Sequence, residues 1–589
     1  MATRRRDLLA SAFLLLAPFV IYLPLRQGGF VWDDDQYVTQ NPELRNAAGL
    51  AHIWLDPLAL PQYYPLVHTS YWLEYHLWGL DARGYHATNV ALHAVNALLL
   101  WHVLRRLRVP GSLFAAALFA VHPVMTESVA WITERKNVLS LALALGSLAS
   151  YLRFAPPKPE ARTDPPAWRF YALSLALFVG ALLSKTVVCS LPAVILVLFW
   201  WRRGRLRAGD VAPLVPFFAL GAVAGLHTAW LERHHVGATG AAWALGPLER
   251  VVLAGRALWF YAGKLLWPHP LIFFYPRWRI DPAALWQLAF PLAVVALVAA
   301  LWLARRRIGR GPLAAVLLFA GVLFPALGFF DVFPFRYSYV ADHFQYHAST
   351  ALLALFAAGW TEGAAALGPR LRSATHGAAI ALLAVLGALT FVQAHVYRDL
   401  EVLYRDTIAK NAEAWNAYLN LANYLSSRGR NEEAVPLARE AVRLVPNLAD
   451  AYNTLGAVLF LTAAEGRADS SARLNEAIGA FAQALALEPG HVDALYNGAA
   501  ALGAAGRHEE EARYYARILE QEPDAVDAEV GLGRSLLLLG RPGEAEAHLR
   551  EALRRAPGRA DAREALALAT VREGASSEAS APRGGAQVP

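Results

Sequence analysis

Charged side chains are scarce in this chain. Only 17% of its 589 residues are Asp, Glu, Lys or Arg, against about 25% in an average soluble domain. The chain has one cysteine, Cys189, so a disulfide within the chain is excluded and the cysteine sets of structural zinc sites are missing. These shortages exclude an ordinary soluble domain and a disulfide-stabilised secreted one.

Hydrophobic residues make up 56% of the chain, and 18 of its residues are tryptophan. The net charge is +7 and the pI is near 9.4, values that also occur in nucleic-acid-binding proteins. The arginines, however, concentrate in short loops between apolar runs, where they set membrane topology. We therefore expect a lipid bilayer and no nucleic acid as partner.

Apolar stretches recur up to about residue 396, each close to the 20 or so residues that cross a bilayer as a helix. We predict eleven spans, at 8–25, 88–107, 112–128, 137–154, 168–184, 186–201, 211–230, 284–303, 312–330, 344–361 and 374–395. The residues Pro24-Leu25-Arg26-Gln27 offer no small-x-small cleavage site, so we expect the first span to stay as an anchor.

Basic loops predict the orientation of these spans. Arginine clusters at 4–6, 105–108, 202–207 and 305–307 belong on the inner side. The segment 250–267 must then be a lateral or re-entrant helix, because a crossing there would move the 305–307 cluster outside. The N-terminus is predicted to be cytoplasmic, and the outer face to consist of 26–87, 122–136, 231–283 and 331–343.

A different pattern begins at about residue 412. Four prolines, Pro446, Pro489, Pro523 and Pro557, are separated by 43, 34 and 34 residues. Thirty-four residues is the tetratricopeptide period, and the longer interval contains a nine-residue insertion around 462–474. Small residues recur before each proline where paired helices must approach closely, at Ala434, Ala441, Ala477, Ala484, Ala545 and Ala552.

The domain boundaries follow from these patterns. We predict a polytopic membrane domain at 1–396, tetratricopeptide repeats with a capping helix at 412–572, and a disordered tail at 573–589. Gly429, Gly506 and Gly540, each followed by arginine, are predicted to form the turns between paired helices. The repeats would lie on the outer side and offer a concave groove to a partner.

Three consecutive carboxylates, Asp33, Asp34 and Asp35, follow the first apolar run. Ionised groups at a membrane boundary are costly without water, a cation or a substrate. A carboxylate there can act as general base on an acceptor hydroxyl, and a second one can tune its pKa. The alternative is an acidic cluster that only begins a solvated loop or caps a helix.

Cations at the same depth suggest a site for a phosphate. The outer side has neither ATP nor nucleotide sugars, so an activated substrate must come from the lipid, and its phosphate needs a positive charge. Arg135 is the best candidate, because a guanidinium binds phosphate through two hydrogen bonds. Lys136 is equally well explained as a membrane-edge anchor. Further cations at this depth are Lys185 and Arg336, and the expected lining residues are His86, His122, Glu127 and Tyr275.

Metal chemistry has weaker support in the sequence. The histidines show no HxxxH or HExxH spacing. We therefore predict no metal site and no cofactor. A divalent ion held by Asp33, Asp34 and a histidine is the less favoured alternative.

Three stretches, FVWDDDQYVTQNP, GYHATNVALHAVNALLL and FAVHPVMTESVAW, precede the repeat array in that order. Their combination resembles the transmembrane-and-tetratricopeptide-repeat family, from about residue 28 to residue 565. Proteins of that family resemble the protein O-mannosyltransferases and share the GT-C glycosyltransferase fold. The fold class that this implies is all-α, a GT-C-like membrane helix bundle followed by an α-solenoid.

The resemblance also implies a reaction. The family's acidic pair maps onto Asp33 and Asp34, which leaves Asp35 as a bystander. The donor is a polyprenyl- or dolichyl-phosphate sugar, typically mannose, and the acceptor is a serine or threonine hydroxyl of a protein. Arg135, with Lys185 or Arg336, would hold the phosphate, and transfer would invert the sugar carbon. A composition that looks bacterial would place the protein in an inner membrane, with the site and repeats in the periplasm.

Two other functions fit parts of the pattern. A membrane scaffold would use the repeats to recruit partners, with the acidic loop incidental. A polymerase or transporter of lipid-linked glycans would use a glycan as acceptor or cargo, but such proteins usually carry charges in mid-helix along a pathway.

Overall fold

The computed structural model describes residues 2–156, 167–240, 243–466 and 469–580. All regular elements in these ranges are helical. The chain divides into two compact units, Met1–Asn411 and Ala412–Pro589. The first unit thus includes one helix beyond the last predicted span, at Leu400–Lys410.

The α-helices described in the first unit are α1 Ala2–Ile21, α2 Ala47–Leu55, α3 Pro65–Trp78, α4 Ala82–Arg106, α5 Ser112–Val121, α6 Thr126–Ala130, α7 Arg135–Phe154, α8 Trp168–Leu182, α9 Leu191–Arg203, α10 Ala208–Val211, α11 Val215–His234, α12 Pro247–Leu266, α13 Leu285–Ala304, α14 Gly311–Leu323, α15 Ser349–Ala365, α16 Pro369–Ala394 and α17 Leu400–Lys410.

The first unit is a polytopic membrane bundle. Six of its described helical segments are long and apolar enough to cross a bilayer, namely Ala82–Arg106, Ile132–Phe154, Thr186–Arg203, Ala208–His234, Leu285–Ala304 and Pro369–Tyr397. Burial identifies the centre: 67% of the apolar window around α7 is buried, but only 6% of that in α13. Helices α4 and α7 therefore form the interior, and α13 presents apolar side chains outward, as a lipid-facing helix does.

The number of spans differs from the predicted eleven. A seventh span results if α5 and Pro123–Ala130, which are bent by 55° relative to each other, count as one. Two more apolar helices, Trp168–Leu182 and Gly311–Ala326, are short for a bilayer. Helix α1 has the length but begins with Arg4, Arg5, Arg6 and Asp7. Short and charged helices thus account for part of the difference.

Helix α12 occupies the segment predicted to lie laterally. Val252 and Tyr261 are among its buried residues, whereas Leu248 and Trp259 are exposed. Gly255 permits a close crossing with α13, because a Cβ there would lie 2.5 Å from the nitrogen of Pro291. Helix α12 is not among the six candidate spans, and its lateral placement remains a prediction.

The second unit is a solenoid of paired helices, whose members are α18 Trp415–Ser427, α19 Asn431–Leu444, α20 Ala449–Ala464, α21 Ser470–Leu487, α22 Val492–Ala504, α23 His508–Gln521, α24 Val526–Leu538, α25 Pro542–Arg555 and α26 Ala560–Ser580.

Sequence spacing predicted the packing of this solenoid correctly. The alanines expected at close approaches, Ala434, Ala441, Ala477, Ala484, Ala545 and Ala552, are all fully buried. The turn glycines Gly429, Gly506 and Gly540 have φ of 73°, 72° and 74°, the left-handed region in which a glycine ends a helix without strain. The insertion lengthens α20 and α21, which have 16 and 18 residues.

The end of the chain differs from prediction. Helix α26 continues to Ser580, so residues 573–580, which we expected to be disordered, are helical. Alanine and glutamate in this stretch are good helix formers, and helix formation needs no apolar face when it extends an existing helix. Residues 581–589 of the predicted tail lie outside the described residues.

Candidate functional site

The three aspartates lie in a loop, residues 28–35, that we call the aspartate loop. Asp34 is fully buried and points into the protein. Its Oδ1 accepts hydrogen bonds from the amide of Thr133 at 2.8 Å and from Thr133 Oγ1 at 2.5 Å, and its Oδ2 accepts one from the amide of Val31 at 2.8 Å. Asp34 therefore fastens the aspartate loop to the segment that precedes α7.

Asp33 faces the opposite way. It lines a cavity of about 690 Å³, the polar cavity, together with Glu127, Glu134, Lys136 and His343. Among the described residues, no side chain or amide forms a hydrogen bond with its carboxylate. Asp35 instead accepts a hydrogen bond from Thr39 Oγ1 at 2.9 Å. Of the three aspartates, Asp33 alone offers a free carboxylate to the cavity.

A cluster of ion pairs forms one wall of the polar cavity. Glu134 is fully buried and contacts two ammonium groups, Lys136 Nζ at 3.0 Å and Lys185 Nζ at 3.3 Å. His343 Nδ1 lies 3.1 Å from Glu127 Oε1, and its Nε2 lies 3.9 Å from Glu134 Oε1. We call these five residues the ion cluster. Its two ammonium groups could also donate charge-assisted hydrogen bonds to an anion beside them.

A second cavity, of about 580 Å³, begins at the ion cluster. We call it the apolar cavity, because small and apolar residues such as Gly221, Gly225 and Phe330 form most of its wall. Its walls belong partly to the candidate spans Thr186–Arg203 and Ala208–His234. Four residues line both cavities: Gln62, Lys136, Pro334 and His343. The two cavities therefore meet at the cations.

A clasp of hydrogen bonds frames this junction. Gln62 Nε2 donates to Glu232 Oε1 at 2.6 Å, and Tyr37 OH donates to Gln62 Oε1 at 3.0 Å. Glu232 Oε2 accepts from the amide of Phe333 at 3.0 Å. The clasp joins the stretch between α1 and α3, the end of α11 and the segment 331–334.

Burial adjusts the acidity of two groups at the junction. It raises the pKa of the Asp33 carboxyl to about 6, although the nearby Lys136 opposes the rise. It lowers the pKa of Lys185 to about 8, against the attraction of Glu134. Near neutral pH, Asp33 is thus mostly ionised with appreciable basicity, and Lys185 is mostly cationic.

Arg135 lines neither cavity. The prediction that this residue binds the phosphate is therefore corrected. The side chain is fully buried, and its terminal nitrogens donate to Glu74 at 2.9 and 3.1 Å, to Ser70 Oγ at 3.1 Å and to the carbonyl of Tyr85 at 2.9 Å. Its Nε donates to Asn89 Oδ1. The guanidinium is saturated by α3 and α4, so no donor is left for a phosphate.

Most other predicted lining residues line neither cavity and form hydrogen bonds with neighbouring segments instead. His86 Nε2 lies 3.2 Å from the carbonyl of Gly29, and His122 Nε2 lies 3.0 Å from the carbonyl of Leu265. Tyr275 OH donates to Asp342 at 3.1 Å. Arg336 is not among the residues that line the cavities. Of the predicted phosphate ligands only Lys185 lines a cavity, and of the predicted lining residues only Glu127 does.

Sequence reasoning left Lys136 undecided between a phosphate ligand and a membrane-edge anchor. It did not single out His343, which lines both cavities, or the neighbouring Asp342. Burial raises the pKa of the Asp342 carboxyl well above its usual range, and Glu127 adds to the rise. The signal that could have found them is the run Asp342-His343 at the end of an outer loop, where polar residues precede an apolar helix.

No group of three or more His, Cys, Asp or Glu side chains in the described parts of the chain is arranged to hold a metal ion. The carboxylates of the cavity instead have ammonium or imidazole partners, apart from Asp33.

Comparison with protein families identifies the repeats. Residues 401–449 and 467–526 match one family model described as tetratricopeptide repeat, and residues 504–569 match another with the same description. The repeat prediction is confirmed.

The chain is similar to named proteins. The chain is 27% identical over 502 residues to human protein O-mannosyl-transferase TMTC1, an alignment that covers 76% of this chain and 56% of the human protein. It is 34% identical over 191 residues to protein O-mannosyl-transferase Tmtc1 of Drosophila melanogaster, covering 31% of this chain and 21% of that protein. The chain thus spans about half the length of the human relative.

Solved structures that resemble the chain cover about a third of it or less. A tetratricopeptide-repeat protein of Thermus thermophilus is 20% identical, with a TM-score of 0.25, and covers 32% of this chain and 95% of that one. The MamA protein of Desulfovibrio magneticus is 19% identical, with a TM-score of 0.25, and covers 28% of this chain and 88% of that one.

Replacing Arg135 tests its structural assignment. We expect Arg135→Ala to lower the free energy of unfolding by about 3–5 kcal/mol, because Glu74 would be left as an unpaired buried charge. Thermal unfolding of the purified protein in detergent measures this. The control is Arg83→Ala, which removes an exposed guanidinium paired with Asp81 and should leave the stability close to that of wild type. A variant as stable as wild type that fails to bind a lipid phosphate would restore the original prediction.

Proposed function

We propose that this chain is an integral-membrane glycosyltransferase that moves a sugar, first of all mannose, from a polyprenyl-phosphate donor to a serine or threonine hydroxyl of a protein. The observation that carries the proposal is the meeting of an apolar and a polar cavity at Lys136 and His343, with Lys185 on the apolar side and the free carboxylate of Asp33 on the polar side. The names of the relatives support mannose as the sugar and protein as the acceptor.

The apolar cavity suits the lipid part of such a donor. Its wall of glycine, alanine and phenylalanine residues would give the first isoprene units apolar surroundings like those of the bilayer from which they come. The phosphate would then lie at the junction of the cavities. Lys136 and Lys185 would lie beside it and could donate charge-assisted hydrogen bonds to its oxygens.

The polar cavity suits the acceptor. A hydroxyl beside Asp33 would lose its proton to this carboxylate as its oxygen attacks the anomeric carbon. The bond between that carbon and the phosphate oxygen breaks, and polyprenyl phosphate leaves with the electron pair. Lys136 and Lys185 would stabilise the charge that develops on the leaving phosphate.

The arrangement favours a single displacement, with inversion at the sugar carbon. A double displacement needs a second free carboxylate as nucleophile. Glu127 and Glu134 also line the polar cavity, but each is held by His343 or a lysine. The outer face, the periplasm and a role of the repeats in holding the acceptor polypeptide belong to the same proposal.

The aspartates provide the direct test. We expect Asp33→Asn to reduce transfer of labelled mannose from polyprenyl-phosphate mannose by about 10²–10⁴-fold, since the general base is lost. Asp34→Asn should reduce transfer less and lower stability, because its new NH₂ group would face a donor at Val31 or Thr133. Transfer to peptide or membrane protein is measured in vesicles that contain each variant.

Asp35→Asn serves as the matched control and should transfer at the wild-type rate. Full activity of Asp33→Asn would overturn the assignment of the base. Wild-type vesicles without any transfer, combined with a phenotype that depends only on the repeats, would favour the scaffold function.

The rate of transfer should follow a bell-shaped dependence on pH. Asp33 must be ionised to accept a proton, so the rate rises as the pH increases through about 6. Lys185 must be protonated to hold the phosphate, so the rate falls above a pH of about 8. Lys185→Arg keeps its charge at higher pH and should remove the upper limb while leaving the lower one, and an unchanged upper limb would exclude Lys185 from phosphate binding.

Cys189 provides a test of the apolar cavity that does not depend on activity. It is the only cysteine of the chain and lines this cavity. We expect polyprenyl phosphate to slow labelling of Cys189 by N-ethylmaleimide severalfold, as measured by mass spectrometry of the full-length protein. The control is Cys189→Ala combined with Val294→Cys, which moves the thiol to a separate groove on α13. Equal slowing at both positions would exclude a specific lipid site.

A further inference from the structure

Trp32, next to the free carboxylate, has an unusual backbone. Its φ is 50°, in the left-handed region that bulky side chains rarely adopt. Only one other described residue besides glycine has a positive φ, Arg108 in an inner loop. A strained conformation persists where surrounding contacts hold it, and such residues concentrate at functional sites.

Four aromatic rings surround the Trp32 indole. Phe274 lies 5.0 Å away between ring centroids, Tyr337 5.9 Å, Phe273 6.0 Å and Tyr404 6.3 Å, all edge to face. They come from three places in the first unit: the segment after α12, the outer stretch 331–343 and helix α17. Edge-to-face contacts of this kind fix the orientation of a ring. We call these four rings the aromatic cage.

The rest of the aspartate loop is fixed on both sides of Asp33. The amide of Gly29 donates to the carbonyl of Arg398 at 2.8 Å, shortly before α17. Asp34 is fastened to Thr133. The carbonyl of Asp33 accepts a hydrogen bond from the amide of Tyr37 at 3.1 Å. Its carboxylate has no such contact, so the direction of the carboxylate depends on the backbone to either side. One side is Asp34, and the other is the left-handed turn at Trp32.

We propose that Trp32 is a positioning residue, whose indole in the aromatic cage holds the left-handed turn that points the Asp33 carboxylate into the polar cavity. The inference rests on the proposed function, because it assumes that Asp33 is the base. It also assigns α17 a part in the site, since Tyr404 forms one wall of the cage. Trp32 itself makes no bond to the reacting atoms.

The pattern of contacts separates this role from ordinary packing. Trp32 is half-buried and lines the polar cavity, so its ring covers less surface than a core tryptophan. A structural role would lower stability and leave the turnover of folded molecules unchanged. A positioning role lowers kcat and leaves binding of the donor at Lys136 and Lys185 intact, because a displacement of about 1 Å in a reacting group costs about 10²-fold in rate.

Two substitutions distinguish the ring from the backbone. Trp32→Asn accepts a left-handed φ readily but loses the cage contacts, whereas Trp32→Phe keeps an aromatic ring. We expect Trp32→Asn to lower kcat for mannose transfer about 100-fold, with KM for polyprenyl-phosphate mannose within about twofold of wild type. Trp32→Phe should recover most of this loss. The control is Trp286→Ala, an exposed tryptophan of α13 outside both cavities, with kcat unchanged.

The outcomes separate the two proposals. If Trp32→Asn turns over like wild type while Asp33→Asn is inactive, the positioning role is wrong and the base assignment stands. If Asp33→Asn is as active as wild type, the proposed function fails and this inference fails with it. Should Trp32→Asn not fold, Tyr404→Ala against Tyr404→Phe tests the same cage from α17. A loss of stability with unchanged kcat in that pair would also overturn the positioning role.

Discussion

The contact on which the rest of the site depends is that of Glu134 with its two lysines. Glu134 is fully buried, and taking a carboxylate out of water costs several kcal/mol unless cations and hydrogen bonds compensate. The ammonium groups of Lys136 and Lys185 provide that compensation, together with the side-chain amide of Asn137, whose Nδ2 donates to Glu134 Oε2 at 2.5 Å. In return the carboxylate holds two ammonium groups from different segments side by side, where they would otherwise repel each other. The junction of the two cavities exists because this group of charges is stable.

The sequence predicted the fold correctly where an element depends on nearby residues or on a repeated spacing of residues. Proline spacing, small residues and turn glycines recur at fixed offsets in the repeats, and the structure has them where they were expected. The apolar runs predicted a membrane bundle for the same reason. Span number was less predictable, because Pro123 bends one apolar run and charges shorten others. The position of a bent or short helix in a bilayer depends on the helices packed against it. The sequence of one apolar run does not specify those neighbours.

The candidate site was predictable to the level of the segment and no further. Neighbouring residues in a helix point about 100° apart, so Arg135 and Lys136 have different surroundings, although the sequence favoured Arg135 as the phosphate ligand. Arg135 finds Glu74 and the helices α3 and α4, while Lys136 reaches the cavity. The same holds for Asp33 and Asp34, which a shared motif presents as a pair. Which of two adjacent residues is free was decided by Thr133, about a hundred positions away.

The two cavities have different walls and share only four residues. For an enzyme of the proposed kind, this means that an oily substrate and a water-soluble one would each approach from its own solvent and would not compete for one entrance. Neither would have to leave before the other arrived. The reaction would then pass through a ternary complex, and spent carrier would return to the bilayer while the modified product stayed in water.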